Sequence, residues 1–313
     1  MDVNDVKRVA VVGAGMMGHS IAQTFAQAGI ETVLVDISNE LLEHGIRLIR
    51  SNLATLAEHG TIGERDIKFI MARVHPATDL ARAVRDVHFV IEAVPEVPEI
   101  KKEVLGELDE HCPPDIVITS NTSGLDVFTI AQMKRPERLA IAHWYAPAHI
   151  IPLVEVVPGP CTSPGSIEFT AALMKRIGKE ALVMKKFAPG FIVNQIQQAS
   201  AMAMFSLLEQ GLASPEEIDK AIKYVLGIRL PVVGIVQSMD FNGLDTIRNI
   251  LKRANLDVPL IDEKVAKGHL GAKTSKGMYD YQGRSEEEIL KKRDILFLKM
   301  LNCLKDIGAF EPV

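Results

Sequence analysis

The chain reads as an α/β domain on a mostly parallel sheet followed by an all-α domain, and three observations lead there. Through about residue 187, short apolar runs alternate with helix-period segments, as strands joined by crossover helices do. Ala188-Pro189-Gly190 then punctuates the chain, and beyond it the pattern is helical only. The length of 313 residues suits two domains better than one, so the expected division is 1–187 and 188–313.

The first strand is expected at 6–12. It runs into Gly13-Ala14-Gly15-Met16-Met17-Gly18, which opens a helix at 19–28, and a second apolar run at 32–36 ends in Asp36. Strand, glycines, helix, strand and terminal acid together make the dinucleotide-binding fingerprint of a Rossmann-type domain. Gly13 permits the tight turn and Gly15 lets backbone approach a pyrophosphate. Gly18 lets the helix pack on the sheet, with its free N–H groups facing the phosphates. Asp36 suits the adenosine ribose. Ile37 and Ser38 offer no cation for a 2′-phosphate, so the expected cofactor is NAD rather than NADP. The plainer alternative is a glycine-rich turn in a strand–helix unit.

Residues 40–72 are helical with a break at 60–63, too long for a plain crossover, and a helical hairpin standing off the sheet is expected. Further strands are expected at 87–94, 116–120, 139–143, 153–157 and 181–184. In the second domain, 192–212 reads as one apolar helix. Ser214-Pro215-Glu216-Glu217 opens another with an N-cap and a capping box, and Ser285 with Glu288 opens the last in the same way.

The net charge of −5, with no basic cluster interleaved with aromatics, gives no reason to expect nucleic acid. Three cysteines without CxxC spacing argue for a reducing compartment and against a zinc site; no metal is expected. A cleaved signal peptide would remove part of the first strand, and the apolar runs look too short to span a bilayer, so a cytoplasmic protein without a membrane is expected.

Nine histidines compete for acid–base work. His143 stands apart because it ends an apolar strand, at the sheet edge where open α/β folds place ligands. Twelve residues on, Glu155 lies within the apolar run Pro152-Leu153-Val154-Glu155-Val156-Val157. A buried carboxylate needs a partner, and a histidine would serve. On spacing alone a structural ion pair and a catalytic dyad are equally open. Ser120-Asn121-Thr122-Ser123-Gly124 falls on the same edge, and Asn194 opens the first helix of the second domain; both also read as ordinary helix-start residues.

These motifs, in this order, resemble the NAD-dependent 3-hydroxyacyl-CoA dehydrogenases over nearly the whole chain. The shared motifs include Glu92-Ala93-Val94-Pro95-Glu96, Pro189-Gly190-Phe191-Ile192-Val193-Asn194, Gly243-Leu244-Asp245 and Lys273-Thr274-Ser275-Lys276-Gly277. The resemblance implies that His143 is the general base, that Glu155 orients it, and that Ser123 and Asn194 hold the substrate's oxygen atoms. It adds Ala93, Glu96, Lys101, Asn121 and Lys273 to the cofactor site, although Lys101 and Lys273 alone would read as solvated lysines. It implies (S)-stereochemistry, a short-chain 3-hydroxyacyl-CoA substrate and a homodimer through the helical domain.

Two features depart from the family. Its members carry His-Phe-Phe-Asn-Pro where this chain has His143-Trp144-Tyr145-Ala146-Pro147, so a substrate-holding amide is missing at Ala146. Trp144 and Tyr145 either line the pocket or fill the core. The hairpin tip, where the family places cations for CoA, is acidic, leaving Arg47, Arg50, Arg65 and Lys68 as substitutes. The segment Ala148 to Glu155, with Gly227-Ile228-Arg229, is similar to a side branch acting on CoA-free hydroxy acids or polar alcohols: gulonate 3-dehydrogenases, carnitine dehydrogenases and a pyridine-carboxylate dehydrogenase. Arg229 would pair a carboxylate there, or would cap the preceding helix. A third alternative is an NAD-binding structural protein without activity.

Overall fold

A computed structural model of the chain describes residues 2–311, which form two compact units, one up to Gln198 and one from Ala199. The first contains the strands β1 (Arg8–Val12), β2 (Glu31–Val35), β3 (Val74–Ala77), β4 (Phe89–Glu92), β5 (Val117–Ser120), β6 (Leu139–Trp144), β7 (Leu153–Pro158) and β8 (Glu180–Val183). They form one eight-stranded sheet in the order β3-β2-β1-β4-β5-β6-β7-β8. Every pairing is parallel except β6 with β7. The connection between β6 and β7 is too short for a crossover, which needs about a dozen residues, so the chain must turn back on itself.

The sheet is covered on both faces. Val9 and Val11 of β1 point into one core with α1 (Gly18–Gln27), α2 (Asn39–Glu58), α3 (Glu64–Met71) and α7 (Pro164–Arg176). Ala10 and Val12 point into the other, with α4 (Leu80–Ala83), α5 (Pro98–His111) and α6 (Val127–Ile130). That two-fold alternation is why the buried strands are apolar throughout.

Two expectations are corrected here. The edge strand β3 was not foreseen, because Val-His-Pro-Ala is short and its proline marks an edge. The α2–α3 hairpin does not stand off the sheet: Leu42, Ile49, Leu53 and Ile70 are buried in the first core, and a Cβ on Gly45 would lie 3.2 Å from that of Ala14. The compact units divide inside α8 (Val193–Glu209). Phe191 belongs to the second core, and the N–H groups that open α8 are bonded to β7, which keeps the first turns of this helix with the sheet.

The second unit holds α9 (Pro215–Ala221), α10 (Gly227–Asn242), α11 (Leu244–Arg253), α12 (Pro259–Ala266) and α13 (Glu286–Asp306). Ser214 with Glu217 and Ser285 with Glu288 form the capping boxes that open α9 and α13. Buried Asp240 on α10 accepts hydrogen bonds from the N–H groups of Met278 and Tyr279 and from the Tyr281 hydroxyl, and so ties down the loop before α13. One stretch is longer than the sequence suggested: Pro215–Asn242 has the length and composition to cross a membrane. A π-helical turn at Ile222–Leu226 and the positive φ of 67° at Gly234 interrupt it, and they also hid its continuity in the sequence.

Candidate active site

The glycine loop is built as steric logic requires. Gly13 has φ of 104°, and a Cβ there would meet the Ala93 carbonyl oxygen at 2.5 Å. A Cβ on Gly18 would overlap the Gly13 carbonyl oxygen, whereas Gly15 faces open space. The opening is a cavity of about 920 Å³ lined by Gly13, Gly15, Met16, Met17, Asp36, Ala93, Glu96, Asn121 and Ser123. Asp36 sits just past the end of β2, accepting from the Ala14 N–H at 2.6 Å and the Ile37 N–H at 2.7 Å, and it forms no ion pair with any described cation. An open glycine cradle with an unpaired carboxylate fits NAD, whose pyrophosphate the glycine loop would hold and whose ribose Asp36 would accept.

The neighbouring polar groups are organised by Glu92, which sequence reasoning left without a role. It is fully buried at the end of β4, and its carboxylate accepts from Lys101 Nζ at 2.7 Å, Ser120 Oγ at 2.5 Å and the Val94 N–H at 2.9 Å. Lys101 is equally buried and also reaches Glu96 Oε2 at 3.2 Å. Its ammonium is therefore not itself on the cavity wall and acts there only through Glu96. Burial pushes the Glu96 carboxyl up, but the Thr122 hydroxyl, Lys101 and the Ser123 N–H outweigh it and hold the group below the usual range. An acid inside an apolar run with a lysine nine residues on was the available signal. Asn121 Oδ1 accepts from the Trp144 N–H at 2.8 Å, pinning β6 to the loop after β5.

The antiparallel register sets His143 directly opposite Glu155. Both are buried, and Nδ1 lies 3.0 Å from Oε2. Oε2 also accepts from the Tyr145 hydroxyl at 2.6 Å, while Oε1 accepts from the N–H groups of Ile192 at 3.0 Å and Val193 at 3.2 Å. Glu155 therefore closes the N-terminus of α8, where the helix dipole favours an anion. Gly190 at φ 72° and Phe191 at φ 50° make the left-handed turn that aims those N–H groups. A phenylalanine in that region is strained by roughly 1 kcal/mol or more, which its buried ring offsets. Burial pushes the Glu155 carboxyl up, yet the bonds from His143, Tyr145, Ile192 and Val193 together hold it below the usual range. An ionised carboxylate fixes the proton on Nδ1 and leaves Nε2 as an acceptor.

Asn194 Nδ2 donates to the Ser123 carbonyl oxygen at 3.1 Å, so these two residues meet as well. Trp144 fills the core against Phe25, with ring centroids 5.9 Å apart. Tyr145 stands half-buried beside His143, with its hydroxyl committed to Glu155. Among the hairpin cations, Arg47, Arg50 and Lys68 are exposed, and Arg47 is 4.0 Å from Glu43. Lys273 belongs to the second unit, where its Nζ lies 2.6 Å from Asp245 Oδ1. Arg229, half-buried on α10, forms no ion pair among the described residues. Those residues also contain no group of three or more side chains suited to a metal ion.

A nucleotide cradle on a parallel sheet, with an imidazole held by a carboxylate at its edge, defines an NAD-dependent oxidoreductase acting on a CH–OH group. Residues 8–187 match the family described as 3-hydroxyacyl-CoA dehydrogenase, NAD binding domain, and residues 190–281 match its C-terminal domain. The chain belongs to the 3-hydroxyacyl-CoA dehydrogenase family. It is 34% identical over 290 residues to a probable 3-hydroxybutyryl-CoA dehydrogenase of Bacillus subtilis, covering 90% of this chain and 99% of the relative. It is 28% identical over 300 residues to a 5-formyl-3-hydroxy-2-methylpyridine 4-carboxylate 5-dehydrogenase of Mesorhizobium japonicum, covering 92% and 95%. The solved structure of a 3-hydroxyacyl-CoA dehydrogenase from Archaeoglobus fulgidus superposes with a TM-score of 0.77 at 28% identity, covering 96% and 99%.

Proposed function

We propose that the chain interconverts a short-chain (S)-3-hydroxyacyl-CoA and the 3-oxoacyl-CoA, with His143 as general base. The observation that carries this is the buried His143–Glu155 pair in strand register, with Nδ1 committed to the carboxylate. Bound NAD supplies the hydride acceptor, held by the glycine loop and Asp36. On the protein's side, Nε2 of His143 takes the hydroxyl proton, and Glu155 compensates the charge that appears on the ring. Ser123 and Asn194, joined through the Ser123 carbonyl, hold the substrate oxygen where that proton leaves. In the reverse direction the imidazolium returns its proton to the carbonyl oxygen.

A CoA-free hydroxy acid or polar alcohol is the second reading. The acidic hairpin tip, Ala146 in place of an amide, and the relative from Mesorhizobium all favour it. NADH oxidation with acetoacetyl-CoA, run beside NAD reduction with free 3-hydroxybutyrate, carnitine and gulonate, separates the two. Turnover of the thioester alone supports the first reading, and turnover of a free acid alone replaces it with the second. Retention of His143, Glu155, Ser123 and Asn194 in one constellation speaks against an inactive NAD-binding protein.

The helical unit leaves Met202 and Phe205 on α8, Ile235 on α10 and Leu298 on α13 largely exposed. Apolar surface of that extent suits a second copy of the chain, and a homodimer is the proposed assembly. A monomer in sedimentation velocity at micromolar concentration would contradict it. Three free cysteines, two of them exposed, support a cytoplasmic location.

A further inference from the structure

Two rings flank the imidazole of His143: Phe191 with centroids 5.1 Å apart and Tyr145 at 4.5 Å. Only Tyr145 carries a polar atom, and it donates to the same carboxylate oxygen as His143. The Tyr145 bond to Oε2 is 2.6 Å, against 3.0 Å from Nδ1 of His143. Glu155 Oε1 is already taken by the backbone of Ile192 and Val193, so the two side chains must share Oε2. We propose that Tyr145 is a positioning residue, which draws charge from Glu155 Oε2 and so moderates the carboxylate's grip on His143. This rests on the reading of His143 as the base.

The physical argument is competition for one acceptor. Each donor to a carboxylate oxygen withdraws charge from it, and the shorter bond withdraws more. A lone carboxylate would hold the imidazolium tightly, making a base that is reluctant to give up its proton in the reverse direction. A shared one leaves a more evenly balanced base. The groups facing this carboxylate are few. From β6 and the loop after it come His143 and Tyr145, from the turn before α8 come Phe191 and two N–H groups, and of these only His143 and Tyr145 titrate. Burial, reinforced by the charge of Glu155, holds the Tyr145 phenol far above its ordinary value, so it remains a donor at every working pH. The family resemblance places phenylalanine here, which has no such hydroxyl, so the device belongs to this chain's own sequence.

The test is Tyr145→Phe in the full chain, with His143 followed by NMR of its imidazole C–H and by the pH profile of kcat/KM for oxidation. Losing the hydroxyl returns charge to the His143 bond and stabilises the imidazolium. Both the NMR midpoint and the acidic limb of the profile then move up by about half to one pH unit. Fluorotyrosine at 145, a stronger donor, moves them down. An unmoved midpoint, or a drop in rate that is uniform across pH, overturns the proposal. Should the wild type oxidise no hydroxy substrate while the NMR midpoint still moves, the dehydrogenase reading fails and the assignment of Tyr145 stands.

Discussion

Replacing Glu155 by Gln removes one charge and no volume, and the hydrogen-bond geometry sets the consequences. The carboxylate accepts four donors: His143 Nδ1 and the Tyr145 hydroxyl on one oxygen, and the N–H groups of Ile192 and Val193 on the other. An amide has one acceptor end. If its oxygen keeps the helix N–H groups, its NH2 faces the Tyr145 hydroxyl, which can rotate, and His143 Nδ1, which then must accept. The proton moves to Nε2, and the imidazole can no longer act as a base at that atom. The reverse orientation points NH2 at two backbone N–H groups and strands both of them. Either way the imidazolium loses its counter-charge. Losing hydrogen bonds to a charged acceptor costs about 1.5–3 kcal/mol each, and relaxation recovers part of it, so we expect about 2–4 kcal/mol of stability to be lost. A wrong tautomer in such a relay is worth about 10⁴ in rate in a serine protease, and about 10³–10⁴ is expected here. Urea unfolding and kcat/KM at saturating NAD check the two figures. Turnover within threefold of wild type would refute the assignment of Glu155, whatever the stability.

Two further outcomes rest on burial and packing. Gly18→Ala places a methyl group on the Gly13 carbonyl oxygen, so the loop must shift. Calorimetric titration should then show NAD binding weakened at least about tenfold, with about 1–3 kcal/mol of stability lost. Lys179 is buried with no acidic partner among the described residues, its Nζ donating to the carbonyls of Ala148 and Ile151, and burial pushes it down from 10.5 to about 8. Between these values the unfolded chain holds a proton that the folded chain has released. Stability therefore rises with pH across that window, and this cost of a buried charge is fully present only below about 8. Lys179→Met should lack that rise in denaturation curves between pH 7.5 and 10 (roughly the span of the window), and an identical slope in both proteins would refute the assignment.

The nucleotide half of the chain was legible because its physics is local. Gly13 is required by its own positive φ and Gly18 by the Gly13 carbonyl within the same turn, Asp36 ends its own strand, and the apolar runs read directly as buried β1, β2, β4 and β5. The pairing of His143 with Glu155 was legible for a different reason: two polar residues in adjoining apolar strands must answer each other. What the sequence hid depends on register and on third partners. Tyr145 reads as one more aromatic after a strand, and only the antiparallel return of β7 brings Glu155 within reach of its hydroxyl. Lys101 reads as a surface residue on a polar helix, because its partners Glu92 and Glu96 lie on a different element. The hairpin was misplaced because Gly45, the residue that lets α2 lie close to the glycine loop, is a weak signal within a helix.

The most direct test of the central claim is His143→Gln, measured for both turnover and NAD affinity. The account predicts that kcat falls by about 10²–10⁴ while the dissociation constant for NAD stays within about threefold, because His143 holds the proton and the glycine loop and Asp36 hold the cofactor. Turnover close to wild type would contradict it, since the proton would then be leaving through some other group.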